Sequence, residues 1–584
     1  MDQRVVAPAD PVVPPPPPSA PPGPAWAARW QIPATWTRPL DRAPVSGPGL
    51  VASDDLNASR AGAAILAKGG NAMDAAIATA FALAVSYPNA GNIGGGGFLV
   101  ARVDPAQPPV ALDFRETAPK KASRNMYLGP DGKPTKASLE GHLAAGTPGS
   151  VAGLYMAHQK FGKLPWKDVV APAIALATDG FPLTESHVVD LNEAKELLSR
   201  FPASAALFLP GGEVPKVGVI WKNPDLAKTL TRIAEKGPKD FYEGETAKLL
   251  LAEMKKGHGI IQAADLKGYK AKWREPIVVE YRGHRVISMP PPSSGGVVIA
   301  LVLKTLEGFD LAKMGWHSVD QLHVFAETLR RAFALRNYWL GDPDFIKVPT
   351  ELFVAPEAAE KLRASIDLTK ATPSSEIQLE DRTKDKGMHT THLSVVDAAG
   401  GAVAMTTTIN MSFGAGVVVT GAGFLLNDEM DDFAVAPGQP NGFGLVQGER
   451  NAVAPGRRML SSMSPTIVLG PDGQPKMVSG AAGGPTIITA TLQTILNVVD
   501  YGMTASEASS APRMHHQHLP DAIMVEENGF SPEVLDGLTK RGHAIVPKKS
   551  IADTNAIVRG ATAWESIAEP RNGGSGAAAP LSTP

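Results

Sequence analysis

The chain contains no cysteine, so disulfides and thiolate metal sites are excluded and any nucleophile has to be a hydroxyl, an imidazole or a carboxylate. The hydroxyl in the most unusual setting lies in "KDKGMHTTHLSVVD", residues 384–397. A charged, glycine-containing loop stops there, and an alternating strand starts with two threonines, so the middle of the chain reads like a beginning. A threonine hydroxyl needs a base beside it, and an α-amino group, with an ordinary pKa of about 7.7–8, suits that task near neutral pH. If the Thr390 hydroxyl attacked its own preceding carbonyl and the resulting ester were hydrolysed, the bond between His389 and Thr390 would be cut. Thr390 would then hold nucleophile and base together. The competing reading is that "HTTH" is the polar end of a β-strand, where threonine is favoured for reasons unconnected with catalysis. Spacing leaves both open.

Other signatures are missing or weak. The Gly-x-Ser-x-Gly elbow, the GxxxxGK[ST] phosphate loop and the HExxH zinc motif do not occur. "GNIGGGG" at 91–97 has no following lysine, which predicts close backbone packing instead of phosphate binding. "MHHQH" at 514–518 has no acidic or cysteine partners at ligand spacing, so a structural role is expected and no metal is implied. With 56 basic and 58 acidic residues the net charge is −2, which excludes a global field for nucleic acid or an anionic membrane and favours a small partner.

The elements that must position Thr390 are legible from periodicity. At 584 residues the chain is long enough for two substantial domains or one large multilayer domain. "LNASRAGAAILAKGGNAMDAAIATAFALAVSYP" predicts two helices, the first capped by Asn57 or Ser59 and ended by "KGG", the second opening at "NAMDA". The apolar run Ala75–Val85 is about half the roughly 20 residues a bilayer requires and reads as a buried helix. "PWKDVVAPAIALATDGFP" and "VDQLHVFAETLRRAFALRNYWL" predict further helices, and "PIVVEYRGHRVISMPPPSSGG" a hairpin entering a proline-glycine loop. From Thr390 the period changes to two. "THLSVVD" and "AVAMTTTI" flank a turn at "AAGG", "GVVVT" and "GFLLND" follow as expected strands, and "SPTIVLGPDGQPKMVSG" predicts another hairpin before the helix "TIITATLQTILNVVDYG". Helices and antiparallel strands in separate blocks favour layered sheets covered by helices. Pro14–Pro18 predicts a polyproline linker within a disordered 1–40, and the small, polar 567–584 a disordered tail.

At larger scale the chain resembles the γ-glutamyltransferase (γ-glutamyltranspeptidase) family of N-terminal nucleophile hydrolases. The segments that carry the likeness occur in family order from about residue 48 to 560: "GGNAMDAAIATAFALAVSYPNAGNIGGGGF", "DFRETAP", "AAGTPGSVAGL", "PPPSSGG", "TTHLSVVD", "NDEMDDF", "LSSMSPT" and "GGPTIITATLQTILNVVDYG". The resemblance implies an α+β, four-layer αββα sandwich that cuts itself into a large subunit, 41–389, and a small subunit, 390–566, which stay associated. It implies no cofactor. The implied substrates are small γ-glutamyl compounds such as glutathione and glutamine, with water, amino acids or peptides as acceptors. Bacterial members of the family are commonly periplasmic or secreted, so a signal removed from ahead of the proline run is expected.

The family roles carry over to matching positions. Thr390 matches the nucleophile, and Thr408 in "TTTIN" the threonine that assists it. Arg115 in "DFRE", with the Ser461 and Ser462 hydroxyls, suits a substrate α-carboxylate. Asp432 in "MDDF", with Glu429 and Asn410, suits an α-ammonium. Gly483 and Gly484 in "AAGGP" match the backbone donors of an oxyanion hole. The family's usual "GSPGGSRI" is "GAAGGPTI" here, residues 480–487, so Ala481, Ala482 and Pro485 differ while both glycines remain. Residues 435–458 resemble a substrate lid, with Phe443 at the place of an aromatic gate. Two alternatives accompany this expectation: a glutaryl-type β-lactam acylase, in which Asp432 would have no ammonium to meet, and an unprocessed homologue without catalysis.

Overall fold

The computed structural model describes residues 28–36, 38, 43–377, 390–439, 441–442, 444–567, 569–571 and 574–578. His389 and Phe443 lie outside them. Two seven-stranded antiparallel sheets form the centre. The first runs in the order Ser575–Ala578, Leu50–Ser53, Thr391–Val396, Ala402–Thr408, Gly96–Arg102, Val110–Asp113, Lys272–Arg274. The second runs Val45–Gly47, Trp564–Ser566, Ile557–Arg559, Pro475–Ser479, Thr466–Leu469, His284–Ser288, Ile277–Tyr281.

The period of two sorts the side chains between layers. Leu393, Val395, Val403 and Met405 pack outward with Ile77 and Phe81 of helix Ala72–Ser86. Val396, Ala402 and Ala404 point the other way and meet Ile287, Ile467, Val478 and Ile557 of the second sheet. That sheet is covered on its far side by helices Gly295–Leu306, Val319–Trp339 and Thr486–Val499. The order is therefore helix, sheet, sheet, helix, the expected αββα sandwich. All fifteen residues of Ala72–Ser86 are buried, so the Ala75–Val85 run is a core helix. Asn71 caps it through a box with Asp74.

The predicted hairpins form, with Tyr281 paired to His284 and Val396 to Ala402. Four expectations change. The first helix spans Leu56–Ala67 and is capped by Asp55, whose Oδ1 accepts the Ala58 N–H at 3.0 Å; Asn57 and Ser59 fall inside it. "GVVVT" and "GFLLND" make only the isolated bridge Val418–Leu425, because Gly414, Gly416, Gly421 and Gly423 take positive φ and turn the backbone repeatedly. Part of the tail expected to be disordered from 567 is ordered among the described residues: Ser575–Ala578 pairs with Leu50–Ser53, and the Arg571 side chain is buried with Glu526 and Glu569. Backbone pairing to a free strand edge asks little of side-chain hydrophobicity, which is why a small, polar composition misled there. Within the expected linker 1–40, Trp30 meets Trp316 and Tyr501 edge-on, and the Trp36 indole N–H donates to Ser510 O at 3.2 Å.

Candidate active site

Thr390 immediately precedes strand Thr391–Val396 and is 6% exposed. Thr391 lies opposite Thr407 on the neighbouring strand, which brings Thr390 and Thr408 to the same end of the pair. The strand end is fixed from behind. Asp54 Oδ2 accepts from the Thr391 hydroxyl at 2.7 Å and the His392 N–H at 3.2 Å, while the Asn555 amide bridges Asp54 Oδ1 and His392 O. The His392 ring is enclosed between the Thr406 and Ser394 hydroxyls, and burial lowers its pKa to about 3. It is neutral at working pH with both nitrogens engaged, so it supports the strand and is no base for Thr390.

"GNIGGGG" is a packing device. A side chain at Gly95 or Gly97 would collide with the carbonyls of Thr408 and Thr406, so glycine lets strand Gly96–Arg102 press against the strand that ends in Thr408. Thr408 Oγ1 accepts the N–H of Asn410 at 2.7 Å. Asn410 has φ +78°, a conformation asparagine tolerates, and its amide donates to Asp428 O at 3.0 Å.

Thr390 lines one cavity together with Thr408, Asn410, Glu429, Asp432 and Arg115, and further with Ser461, Ser462 and Gly484. Arg115 is fully buried and ion-paired with both Glu429 and Asp432. Burial acts against its charge, but the carboxylates of Glu429, Asp432 and Glu116 outweigh it and hold the guanidinium above its ordinary pKa. Burial in turn raises Glu429 and Asp432, with Arg115 pulling both back. Glu116, 3.7 Å from Arg115 Nη1, has neither carboxyl oxygen hydrogen-bonded, and burial pushes it up to about 8.

Ser461 and Ser462 are held by the proline-glycine loop of "PPPSSGG". Ser293 bridges to Ser461 in parallel, and Ser461 O accepts both the Ser294 N–H and hydroxyl, at 2.7 and 2.6 Å. Gly483 and Gly484 have φ +137° and +56° and turn the chain into helix Thr486–Val499, whose N-terminal end faces the cavity through Gly484, Pro485 and Ile487. Backbone N–H groups at a helix start are placed for developing negative charge. "MHHQH" braces that helix, with His515 Nδ1 2.9 Å from the Thr489 hydroxyl and Nε2 2.8 Å from Gln517. Among the described residues no group of three or more His, Asp or Glu is placed to hold a metal ion.

The gamma-glutamyltranspeptidase family model matches residues 58–579. The chain belongs to the γ-glutamyltranspeptidase family. It is 47% identical over 514 residues to the glutathione hydrolase proenzyme of Escherichia coli (strain K12), covering 88% of each chain. Among solved structures, it resembles the cephalosporin acylase of Bacillus halodurans with a TM-score of 0.80 and 28% identity over 94% of this chain and 98% of that one. It also resembles the γ-glutamyltranspeptidase of Helicobacter pylori with a TM-score of 0.56 and 41% identity over 58% of this chain and 99% of that one.

This γ-glutamyltranspeptidase site contains one cation that motif reasoning missed. Arg336, 1% exposed on helix Val319–Trp339, lines the cavity and donates to the Ser294 and Ser462 hydroxyls at 3.1 Å each. Burial lowers its pKa to about 10 against the pull of Asp432, so it stays charged. The available signal was a helix whose inward face carries arginine among leucine, phenylalanine and alanine.

Proposed function

We propose that the chain is a self-processing γ-glutamyltransferase and hydrolase with Thr390 as nucleophile. The observation that carries this is the cavity in which Thr390 meets two arginines with two serine hydroxyls, and two carboxylates with an asparagine. Those groups complement a zwitterionic amino-acid head, and the hydroxyl of Thr390 is left to meet a side-chain carbonyl.

In the precursor, the Thr390 hydroxyl adds to the carbonyl of His389, the C–N bond breaks as the acyl group moves to oxygen, freeing the α-amino group of Thr390 with the hydroxyl proton, and water then hydrolyses the ester to free the Thr390 hydroxyl and the His389 carboxylate. The large subunit then ends at His389 and the small one begins at Thr390, the two remaining associated. The amine takes the hydroxyl proton as the oxygen attacks the γ-carbonyl of glutathione, glutamine or a related amide. Arg115, Ser461 and Ser462 hold the α-carboxylate, and Asp432, Glu429 and Asn410 hold the α-ammonium. Thr408 steadies the nucleophile, and the Gly483 and Gly484 N–H groups receive the oxyanion. The departing amine takes the proton back from the Thr390 ammonium. Water or the amine of an amino acid or peptide then attacks the γ-glutamyl ester. The cationic and anionic halves together disfavour a glutaryl substrate, which has no ammonium for Asp432.

No helix among the described residues is long and apolar enough to cross a membrane. A periplasmic or secreted location is proposed on the family likeness, and cell fractionation tests it.

The deciding experiment combines denaturing electrophoresis, N-terminal sequencing and turnover of γ-glutamyl-p-nitroanilide. Two fragments are expected, the smaller starting at Thr390, with activity only in the cut form. An active, uncut band at 61.2 kDa, or faster turnover of the glutaryl analogue, overturns the reading.

A further inference from the structure

The two adjacent aspartates of "MDDF" face different ways. Asp432 pairs with Arg115 in the cavity. Asp431 is outside the cavity lining and 2% exposed. Its Oδ1 accepts the Ser138 hydroxyl at 2.8 Å, and its Oδ2 accepts the backbone N–H of Gly442 at 2.6 Å. Gly442 belongs to the same loop as Leu445, which lines the cavity. Asn441 connects the two points: its amide donates to Asp431 O at 3.3 Å, and its own N–H donates to Leu445 O at 3.2 Å. The far end of the loop is tied to the same turn, because the Asn451 amide donates to Asp432 O at 2.7 Å.

A second observation comes from the loop itself. A Cβ at Gly442 would stand 2.7 Å from Asp431 Oδ2 and 3.0 Å from the Leu139 side chain, and would also collide with Met411. Only glycine allows the backbone to come close enough for its N–H to reach the carboxylate.

We propose that Asp431 is the latch of this loop, a positioning residue that holds Leu445 over the cavity through Gly442 and so limits how often water reaches the acyl-enzyme. The proposal rests on the γ-glutamyl ester described above. Burial pushes the Asp431 carboxyl up to about 6, with the Ser138 and Gly442 hydrogen bonds pulling it back, so at neutral pH both bonds are charge-assisted. The substrate side of the turn and the lid side are thereby joined through one peptide bond. Opening the loop frees the Asp431 carboxylate to water, and closing it buries a charge that Gly442 and Ser138 must satisfy. Acceptor choice becomes a property of that balance, since a loop that stays shut longer leaves more of the ester for a bound amine.

The test uses the processed enzyme. Hydrogen–deuterium exchange of peptides covering 438–448 is measured without substrate, and the ratio of transfer to hydrolysis is measured with γ-glutamyl-p-nitroanilide and glycylglycine. Losing one charge-assisted bond is worth about a tenfold shift in loop opening. Asp431→Ala and Gly442→Ala are each expected to speed exchange by about that factor and lower the transfer share, and the double variant to add little. Asp431→Asn keeps an accepting oxygen for Gly442 and a donor for the Ser138 hydroxyl, so it is expected to restore most of both readouts. Wild-type exchange in Asp431→Ala overturns the latch, as does additivity in the double variant. If Asp431→Ala fails to mature, Gly442→Ala carries the same test with Asp431 in place. Absence of γ-glutamyl turnover in the wild type defeats the functional reading alone, because exchange is read without it.

Discussion

Arg115 and Asp432 are ion-paired with each other, although each is suited to the opposite end of a substrate. On the roles proposed above, the cationic and anionic subsites neutralise one another until a zwitterion arrives, and binding exchanges internal ion pairs of Arg115 with Glu429 and Asp432 for intermolecular ones. A ligand with only one of the two charges opens the Arg115–Asp432 pair and replaces only one of its halves, and breaking a buried, hydrogen-bonded charge pair from one side costs roughly 2–5 kcal/mol. On that proposal, specificity for an amino-acid head comes from the pairing that incomplete ligands fail to replace.

Asp432→Ala is expected to process normally and to raise KM for γ-glutamyl-p-nitroanilide by about 10- to 100-fold, the effect of losing a charged hydrogen bond. The same variant should narrow the difference between the γ-glutamyl substrate and its glutaryl analogue, since the unpaired carboxylate that penalises the latter is gone. Steady-state kinetics on both substrates checks this, and an unchanged KM would contradict the assignment of Asp432.

Arg336→Lys is expected to raise KM by about tenfold while the chain still cuts itself. A lysine keeps the charge beside Asp432 but has no planar fork, so it cannot serve the Ser294 and Ser462 hydroxyls together as Arg336 does. If the arginine acts only as a distant charge, lysine will restore KM fully.

The difference between Arg336 and Thr390 explains what sequence could reveal. Thr390 announces itself through local pattern, a change from loop to alternating strand, and Arg115, Asp432, Ser461, Ser462 and the two glycines sit in short family-like stretches. The alternation of Leu393, Val395 and Val396 likewise placed the sheet between a helical layer and a second sheet. Arg336 has no motif around it, and its burial depends on the loop at Ser294 closing over it from elsewhere in the chain. The strand Ser575–Ala578 escaped for a related reason: its place is set by the unpaired edge of Leu50–Ser53, a partner far away in sequence.

Glu116 leads to a pH prediction. Burial raises its carboxyl to about 8 from an ordinary value of 4.5. A carboxyl whose folded pKa exceeds its unfolded one contributes stability that is complete below the unfolded value and is lost as pH climbs to the folded value. Wild-type protein should therefore lose thermal stability relative to Glu116→Gln between pH about 4.5 and about 8, with a constant difference above that. Parallel melting curves across that range check the sign. A gap that widens as pH falls would mean Glu116 is ionised and stabilised by Arg115.

Asp54 leads to the last prediction, which concerns self-cleavage. The hydroxyl of Thr390 has to reach a carbonyl one bond behind it, and the geometry of that approach is set by the strand end that follows. Asp54 holds this end by accepting from both Thr391 and His392 through a single oxygen. Without it, two buried donors lose their acceptor and the strand end gains freedom, so Asp54→Ala should slow processing by about tenfold or more. Asp54→Asn retains an accepting oxygen and should fall between the two. Because Asp54 lies behind the strand and outside the cavity lining, the fraction that does mature should keep a near-normal KM while kcat falls. A time course of precursor conversion by electrophoresis, with kinetics on the cut fraction, separates the effects: wild-type conversion in Asp54→Ala, or a raised KM with normal conversion, would remove Asp54 from this role.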